Sequence, residues 1–301
     1  MSVLNLNSLQ KILDRLRNGQ PLAIPTETVY GLAACIDQPL AIRQIFAIKG
    51  RPMNHPLIIH VSDLSMASDY AHLTDLSIEI GQHFWPGPLT LILPKKNTVP
   101  DEVTGGLNTV GVRIPNHPTT LAIIKAINVP LAAPSANQFG KTSPTCPEHV
   151  LFDFNKAVPV VEGGDCQIGI ESTILDLSVD PPAIRRLGAI SEEDLQAFIP
   201  EFGQSQTPTS GTHAAHYAPS TALLLSNDVT SDQTRLEAEG LSVATIVFED
   251  SVDYAQSLYA ELRRLDQIGV DILIAAIPKD DAMGQAVLDR LSRAAVGSNR
   301  S

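Results

Sequence analysis

The residues whose types and spacing suggest chemistry are a pair of cations, a set of hydroxyls at the ends of apolar runs, and one arginine inside such a run. Lys49 and Arg51 flank Gly50 at the end of a helix-like segment. Thr26 and Thr28 follow an apolar run that stops at Pro25, and His60 lies inside a second apolar run. Lysine as a point charge beside arginine as a planar fork suits an anion with several oxygens. Taken alone, the pair reads equally well as surface charge on an ordinary crossover. Arg113 interrupts the strand-like Val110-Gly111-Val112-Arg113-Ile114. Burying it there is costly without an anionic partner, and its fork would suit one carboxylate. The other reading places Arg113 on the solvent face of an edge strand. Ser135 and Asn137 close a further apolar run, where small residues let a ligand approach the backbone and neutral groups hydrogen-bond it. Arg185 and Arg186 precede a glycine at 188.

Other features carry less. Gly140-Lys141-Thr142-Ser143 has the ending of a phosphate loop, but the required upstream glycine would fall at 135, which is Ser135. The spacing of His213 and His216 suits a metal, yet neither cysteine nor carboxylate accompanies it. Cys35, Cys146 and Cys166 form no CxxC pair and no zinc spacing, so they read as small fillers in a reducing compartment. Trp85, in a Pro/Gly-rich turn, reads as packing.

The elements that must position these residues follow from periodicity. The N-terminus has an amphipathic helix pattern, with Leu9, Ile12, Leu13 and Leu16 on one side. Then come a strand at 22–24, a small-residue turn at Gly31, a helix at 39–48 and a strand at 57–61. A polar turn and helix occupy 62–80, strands 89–93 and 110–115, and a helix 119–127. Further strands are expected at 129–133, 157–161 and 169–176, and after the two arginines of 184–189 Ser191 reads as a helix N-cap followed by acidic residues. Seven or so strands with interposed helices make a mixed α/β sheet over 1–199. Residues 200–219 are a linker by composition, rich in Pro, Gly, Ser and Thr, yet they carry His213, His216 and Tyr217. A linker with aromatics could fold over a pocket as a lid. Residues 220–301 form a smaller α/β, Rossmann-like unit. Its strands lie at 223–225, 243–248 and 271–277 and its helices near 252–267 and 282–295, without a convincing catalytic constellation.

Composition narrows the function class. The 301 residues are 44% hydrophobic and carry a net charge of −12. Residues 1–200 hold 14 Lys and Arg against 19 Asp and Glu, and residues 201–301 hold 7 against 14. No basic stripe for gripping nucleic acid is visible, so a small-molecule enzyme is favoured over a nucleic-acid binder. No apolar run approaches the ~20 residues that cross a bilayer, and the N-terminus lacks a signal peptide's apolar core. A cytoplasmic protein is the expectation.

PTETVYGL at 25–32, with KGRPMNHPLIIHV at 49–61, resembles the signature of the YrdC family, specifically its threonylcarbamoyl-AMP synthases. GPLTLIL, VGVRIP, APSAN, GIESTILD and RRLGAI extend the likeness over the catalytic domain. HYAP and AMGQAVLDRLSRAA extend it to the family's longer, two-domain version. The resemblance implies a twisted mixed sheet with flanking helices. It also implies a reaction joining L-threonine, bicarbonate or CO2 and ATP into L-threonylcarbamoyl-AMP, with release of pyrophosphate. A tRNA threonylcarbamoyltransferase would then carry the group to position 37 of tRNAs that read codons beginning with A, with little direct tRNA binding by this chain. By the same resemblance Lys49 and Arg51 hold ATP phosphates with His55 close by. Thr109, Ser135, Asn137, Ser143 and Arg186 line the nucleotide site, Tyr217 and His216 close it, and Mg²⁺ is bound mainly through the phosphates. Thr28, His60, Arg113 and Ser172 hold threonine, Arg113 on its carboxylate; Lys49, Arg51 and Arg113 are the implied catalytic set.

Two positions depart from the family pattern. His55 stands where Asn or a small polar residue is usual. SGTHAAHYAP replaces a Pro-Gly-Met followed by basic residues, which removes phosphate contacts from the linker. Three competing readings are an RNA-binding YrdC-like module, a hydrogenase-maturation carbamoyltransferase and a catalytically silent homologue. The first is opposed by the acidity. The second would need an acylphosphatase-like domain and zinc fingers upstream. Retention of Lys49, Arg51, Arg113, Ser135 and Asn137 speaks against the third.

Overall fold

The computed structural model describes residues 3–4, 8–209, 211 and 215–298. His213, half of the His-x-x-His spacing, lies outside the described residues, as do Ser210, Thr212 and most of the first seven positions.

Among the described residues, ten strands build one mixed sheet. They are β1 (Val3–Leu4), β2 (Leu22–Ile24), β3 (Gly31–Cys35), β4 (Ile58–His60), β5 (Leu89–Pro94), β6 (Thr109–Arg113), β7 (Leu131–Ala132), β8 (Val160–Val161), β9 (Thr173–Asp176) and β10 (Ala183–Arg186). Their spatial order is β1-β8-β2-β3-β7-β4-β6-β5-β9-β10. The pair β2–β3 is antiparallel, and β4 joins it only through β7. The opening unit is therefore not a simple crossover. Gly31, expected as a turn, begins a strand in which all five residues are buried. GLAAC shows no alternation and few β-branched residues, so local pattern hides it. The strand is covered on both faces, where such alternation is not required.

Two helical layers provide that cover. Helices α1 (Leu9–Arg17) and α6 (Pro118–Ile127) lie on one face, where Ile12, Leu13, Leu16, Ile123 and Ile124 meet Leu22, Ile24, Ala33 and Cys35. The intervening strand positions Ala23, Leu32 and Ala34 point the other way, into the core under α2 (Pro39–Lys49). That core is extended by α3 (Leu64–Tyr70), α4 (Asp75–Phe84), α5 (Asp101–Thr104), α7 (Pro147–Asp153) and α8 (Glu192–Gln196). The single helix expected in 62–80 is thus two, because Thr74 opens a new one with a capping box to Ser77. Ser191 caps α8 as expected, with Asp194 completing a box.

The local chemistry of α2 matters most for function. Pro39 starts it at N1. Gly50 stops it at φ +63°, where the Gly50 and Arg51 amides return to the Ala47 and Phe46 carbonyls. This left-handed stop turns the chain between Lys49 and Arg51 and sends the two cations in different directions.

The remaining strands, β11 (Ala222–Ser226), β12 (Val243–Ile246) and β13 (Ile272–Ala276), form a separate parallel sheet in the order β11-β13-β12. It packs with α9 (Val229–Ala238), α10 (Ser251–Asp266) and α11 (Ala282–Ser298); α9 was not anticipated. The core of this unit also takes in Val29, Ile170 and Tyr217, so the two units share apolar contacts. Arg263 on α10 grips Asp153 through both oxygens, at 2.7 and 2.6 Å, and donates to the Thr142 carbonyl. Among the described residues, no helix is long and apolar enough to cross a membrane.

Candidate active site

Two turns face each other at the strand ends. In the first, Thr26 Oγ1 accepts from the Thr28 and Val29 amides and donates to the Val29 carbonyl at 2.6 Å, so the hydroxyl holds the turn that follows Pro25. In the second, 134–144, the backbone is tied to the first: Leu32 N–H donates to Pro134 O, Ala136 N–H to Tyr30 O, and Tyr30 N–H to Pro144 O. Between them opens a small pocket at the strand ends. Its wall includes Thr28, Arg51, His60, Arg113, Ser135 and Ser172, together with Arg186, Glu171, His216 and Tyr217.

Arg113 is 4% exposed, which settles the choice left open by the sequence: it is not on a solvent face. It pairs in register with His60 on β4. Its Nε donates to Gly87 O at 3.1 Å and Nη1 to Thr28 Oγ1 at 2.9 Å, while Nη2 lies 2.7 Å from Glu27 Oε1. Glu27 is itself 3% exposed, so each charge neutralises the other out of water. His60 is held neutral: burial first, then Arg113, pushes its pKa down to about 3.

Arg186 donates from Nε to Ser172 O and from Nη2 to Ser172 Oγ, at 3.0 and 3.2 Å, and Thr90 shares that hydroxyl at 2.8 Å. Arg51 donates to Pro56 O at 2.9 Å, and burial lowers its pKa to about 10. The linker closes the remaining side. His216 is buried, and its imidazole is pushed down to about 3, chiefly by burial. Tyr217 sits at φ +62°, a left-handed conformation that costs an ordinary residue of order 1–3 kcal/mol and so marks a place the surroundings over-determine. A Cβ on Gly211 would fall 2.2 Å from Tyr217 Oη and 2.7 Å from Arg186 Nη1, so a side chain there would displace both groups, and its φ of +80° itself favours glycine. Nδ1 of His60 and of His216 and Oη of Tyr217 are buried without a hydrogen-bond partner among the described residues, all three at the pocket. Polar atoms in that state are available to hydrogen-bond a bound molecule.

Glu171 supplies the wall's negative charge. Ser143 Oγ donates to Oε1 at 2.5 Å, and Tyr259 Oη and Arg290 Nε donate to Oε2, each at 3.0 Å. Burial works to raise its pKa, but the guanidiniums of Arg290 and Arg186 and the Ser143 hydroxyl overcome it and hold the carboxyl at about 2. Tyr259 and Arg290 stand on α10 and α11, so the C-terminal unit reaches the pocket wall.

The structure thus brings Thr28, Arg51, His60, Arg113, Ser135, Ser172, Arg186, His216 and Tyr217 to one cavity. Five other candidates lie elsewhere. Lys49 is behind the second turn, its Nζ donating to Ser135 O and Asn137 O at 2.5 and 2.6 Å; burial and then Arg51 press its pKa well below the usual lysine value. Asn137 spends its amide on Gln138 O and Lys141 O, and Ser143 serves Glu171. His55 stands against Phe139, and Thr109 lines a separate small depression with Pro56 and Thr209. Glu27, Glu171 and Arg290 were missed. The two acids had a signal, being carboxylates among small and apolar residues in 25–32 and 169–176. Arg290 had none, since an arginine in an amphipathic helix reads as surface.

Residues 14–188 match the family model Sua5_yciO_yrdC, described as telomere recombination, and residues 190–296 match Sua5_C, described as threonylcarbamoyl-AMP synthase, C-terminal domain. The chain belongs to the Sua5/YrdC family. It is 37% identical to the threonylcarbamoyl-AMP synthase of Pyrococcus abyssi, over 93% of this chain and 91% of that one. It is likewise 37% identical to the Bacillus subtilis enzyme of the same name, over 94% and 91%. Among solved structures, P. abyssi Sua5 complexed with L-threonine superimposes with a TM-score of 0.93 at 32% identity, covering 99% of this chain and 98% of that chain. The Sua5-like arrangement of two units therefore extends over the whole of this chain.

Proposed function

We propose that this chain makes L-threonylcarbamoyl-AMP from L-threonine, bicarbonate or CO2 and ATP, releasing pyrophosphate, for threonylcarbamoyladenosine formation at position 37 of tRNAs reading codons that begin with A. The observation that carries the reading is one cavity lined by three buried arginines, Arg51, Arg113 and Arg186. An amino acid needs a site for one carboxylate, and a nucleotide needs several cations for its phosphates. The cavity has both, in a chain whose full-length relatives carry the synthase name.

In this reading Arg113, with its orientation set by Glu27, Gly87 and Thr28, receives the threonine carboxylate. His60, Thr28 and Ser172 offer neutral hydrogen bonds beside it. Arg51 and Arg186 meet the ATP phosphates, Tyr217 and His216 close over them, and Lys49 shapes the Ser135–Asn137 turn from behind. The amine captures CO2 to give a carbamate and a proton. A carbamate oxygen then bonds to the α-phosphorus as the bond to the β-phosphate oxygen breaks and pyrophosphate leaves. The reaction is thus a nucleotidyl transfer. Positioning and charge neutralisation carry it. Glu171 has both oxygens engaged, so Mg²⁺ is proposed to enter on the ATP phosphates, where it would neutralise charge. The product passes to a tRNA threonylcarbamoyltransferase.

The test is pyrophosphate release with ATP, Mg²⁺ and bicarbonate, comparing L-threonine, L-serine and no amino acid, for wild type and Arg113→Ala. Threonine-dependent release, reduced about 100-fold or more in the variant, is expected, since a buried carboxylate partner is lost. Release indifferent to threonine would overturn the reading.

A further inference from the structure

We propose that Phe139 is a positioning residue for ATP, fixing Arg51 on one side and the linker residue His216 on the other. The inference rests on the reading above in one respect, that Arg51 meets the phosphates. Five rings from four segments form a continuous row. His55 lies 5.4 Å from Phe139, Phe139 lies 6.1 Å edge-on from His216, His216 lies 4.1 Å from Tyr217, and Tyr217 lies 5.7 Å from Tyr259 on α10. The Arg51 guanidinium stands 5.9 Å from the centre of the Phe139 ring, within reach of a cation–π contact.

The backbone repeats the same connection. Phe139 N–H donates to Lys49 O at 2.8 Å, at the end of α2. One residue on, Gly140 O accepts from Ala218 N–H at 2.9 Å, in the linker. The Phe139–Gly140 segment therefore joins the basic turn to the linker twice, through main chain and through rings. Phe139 is only half-buried and is not part of the apolar clusters that hold either unit. Its ring faces groups that belong to the pocket wall, Arg51 and His216. That is the placement of a side chain that orients a site rather than one that supports the core. With His216 held neutral by burial, the edge-to-face contact does not change across the working pH range.

The experiment compares wild type, Phe139→Leu and Phe139→Tyr. Leucine keeps apolar bulk and loses the ring, while tyrosine keeps the ring. The readouts are the separate KM values for ATP and threonine, and hydrogen exchange of the segment 215–219, which contains the Ala218 amide. Phe139→Leu is expected to raise the ATP KM about fivefold, the loss of one partly desolvated cation–π contact, with the threonine KM unchanged. Exchange in 215–219 should quicken, thermal unfolding should stay near wild type, and Phe139→Tyr should restore both readouts. A wild-type ATP KM in Phe139→Leu overturns the link to Arg51, and unchanged exchange overturns the link to the linker. Should wild type show no threonine-dependent turnover, the proposed function fails. The exchange readout still decides the link to the linker.

Discussion

The two sheets of this protein differ in build, one mixed and one all-parallel, and the edges that could bind a ligand carry opposite charge. Around the large sheet the strand ends are lined by Arg51, Arg113 and Arg186, and among the described residues the His60 and His216 Nδ1 atoms and Tyr217 Oη there lack partners. Parallel sheets bind ligands beyond their strands' carboxyl ends, and in the C-terminal unit that edge is closed by the chain's own carboxylates. Asp228 caps α9 through the Ser231 amide at 3.0 Å, and Asp250 caps α10 through Val252 and Asp253 at 2.8 and 3.0 Å. Asp281 accepts from Gly284 N–H at 2.7 Å and from the Ser251 hydroxyl at 2.9 Å. Three helix N-termini that could have held phosphates are each satisfied internally and made repulsive to anions. The C-terminal unit acts instead through what it sends outward: Arg290, Tyr259 and Arg263.

The sharpest way to break this contrast is Arg290→Ala. If the helix serves the first unit by neutralising Glu171, the variant leaves a buried carboxylate with its Ser143 and Tyr259 hydrogen bonds but without its ion-pair partner. It should lose about 3–5 kcal/mol of stability by urea unfolding. A loss below about 1 kcal/mol, as for an exposed pair, would mean that Glu171 finds other support.

A second test locates the titrating groups. His60 and His216 are depressed to about 3 from 6.5, so the unfolded chain takes up protons first, and stability falls as pH drops from 6.5 towards 3. Glu171, depressed to about 2 from 4.5, adds stability that is fully present above 4.5 and lost as pH falls towards 2. Urea midpoints should therefore decline below pH 6.5 and more steeply below 4.5. A flat profile between pH 7 and 5 would place these imidazoles in water.

The smallest expected effect lies at the closed edge. Asp250→Ala should cost about 1 kcal/mol as a lost helix cap and leave the ATP KM unaltered. A changed KM would show that this edge takes part in the reaction.

Much of the site was legible before any coordinates. Strand ends with Thr, Ser and Arg stood out because hydroxyls and cations are rare next to apolar runs, and eight candidates do share the cavity with His216. Lys49 illustrates the limit. Its distance from Arg51 in sequence is short, but the left-handed Gly50 turns the two apart, so that one faces the pocket and the other the backbone of the opposing turn. Thr109 likewise begins the strand that carries Arg113, yet four residues of rise along a strand put it at another depression.

By itself the sequence determined the class of elements, the acidity that disfavours a nucleic-acid surface and the linker with its aromatics, because periodicity and side-chain chemistry are local properties. Only the tertiary structure decided that Gly31 begins a central strand, that Glu27 neutralises Arg113, and that Arg290 crosses between units to hold Glu171. Each is a pairing of groups distant along the chain. Burial sets its strength, and burial exists only once the layers have packed.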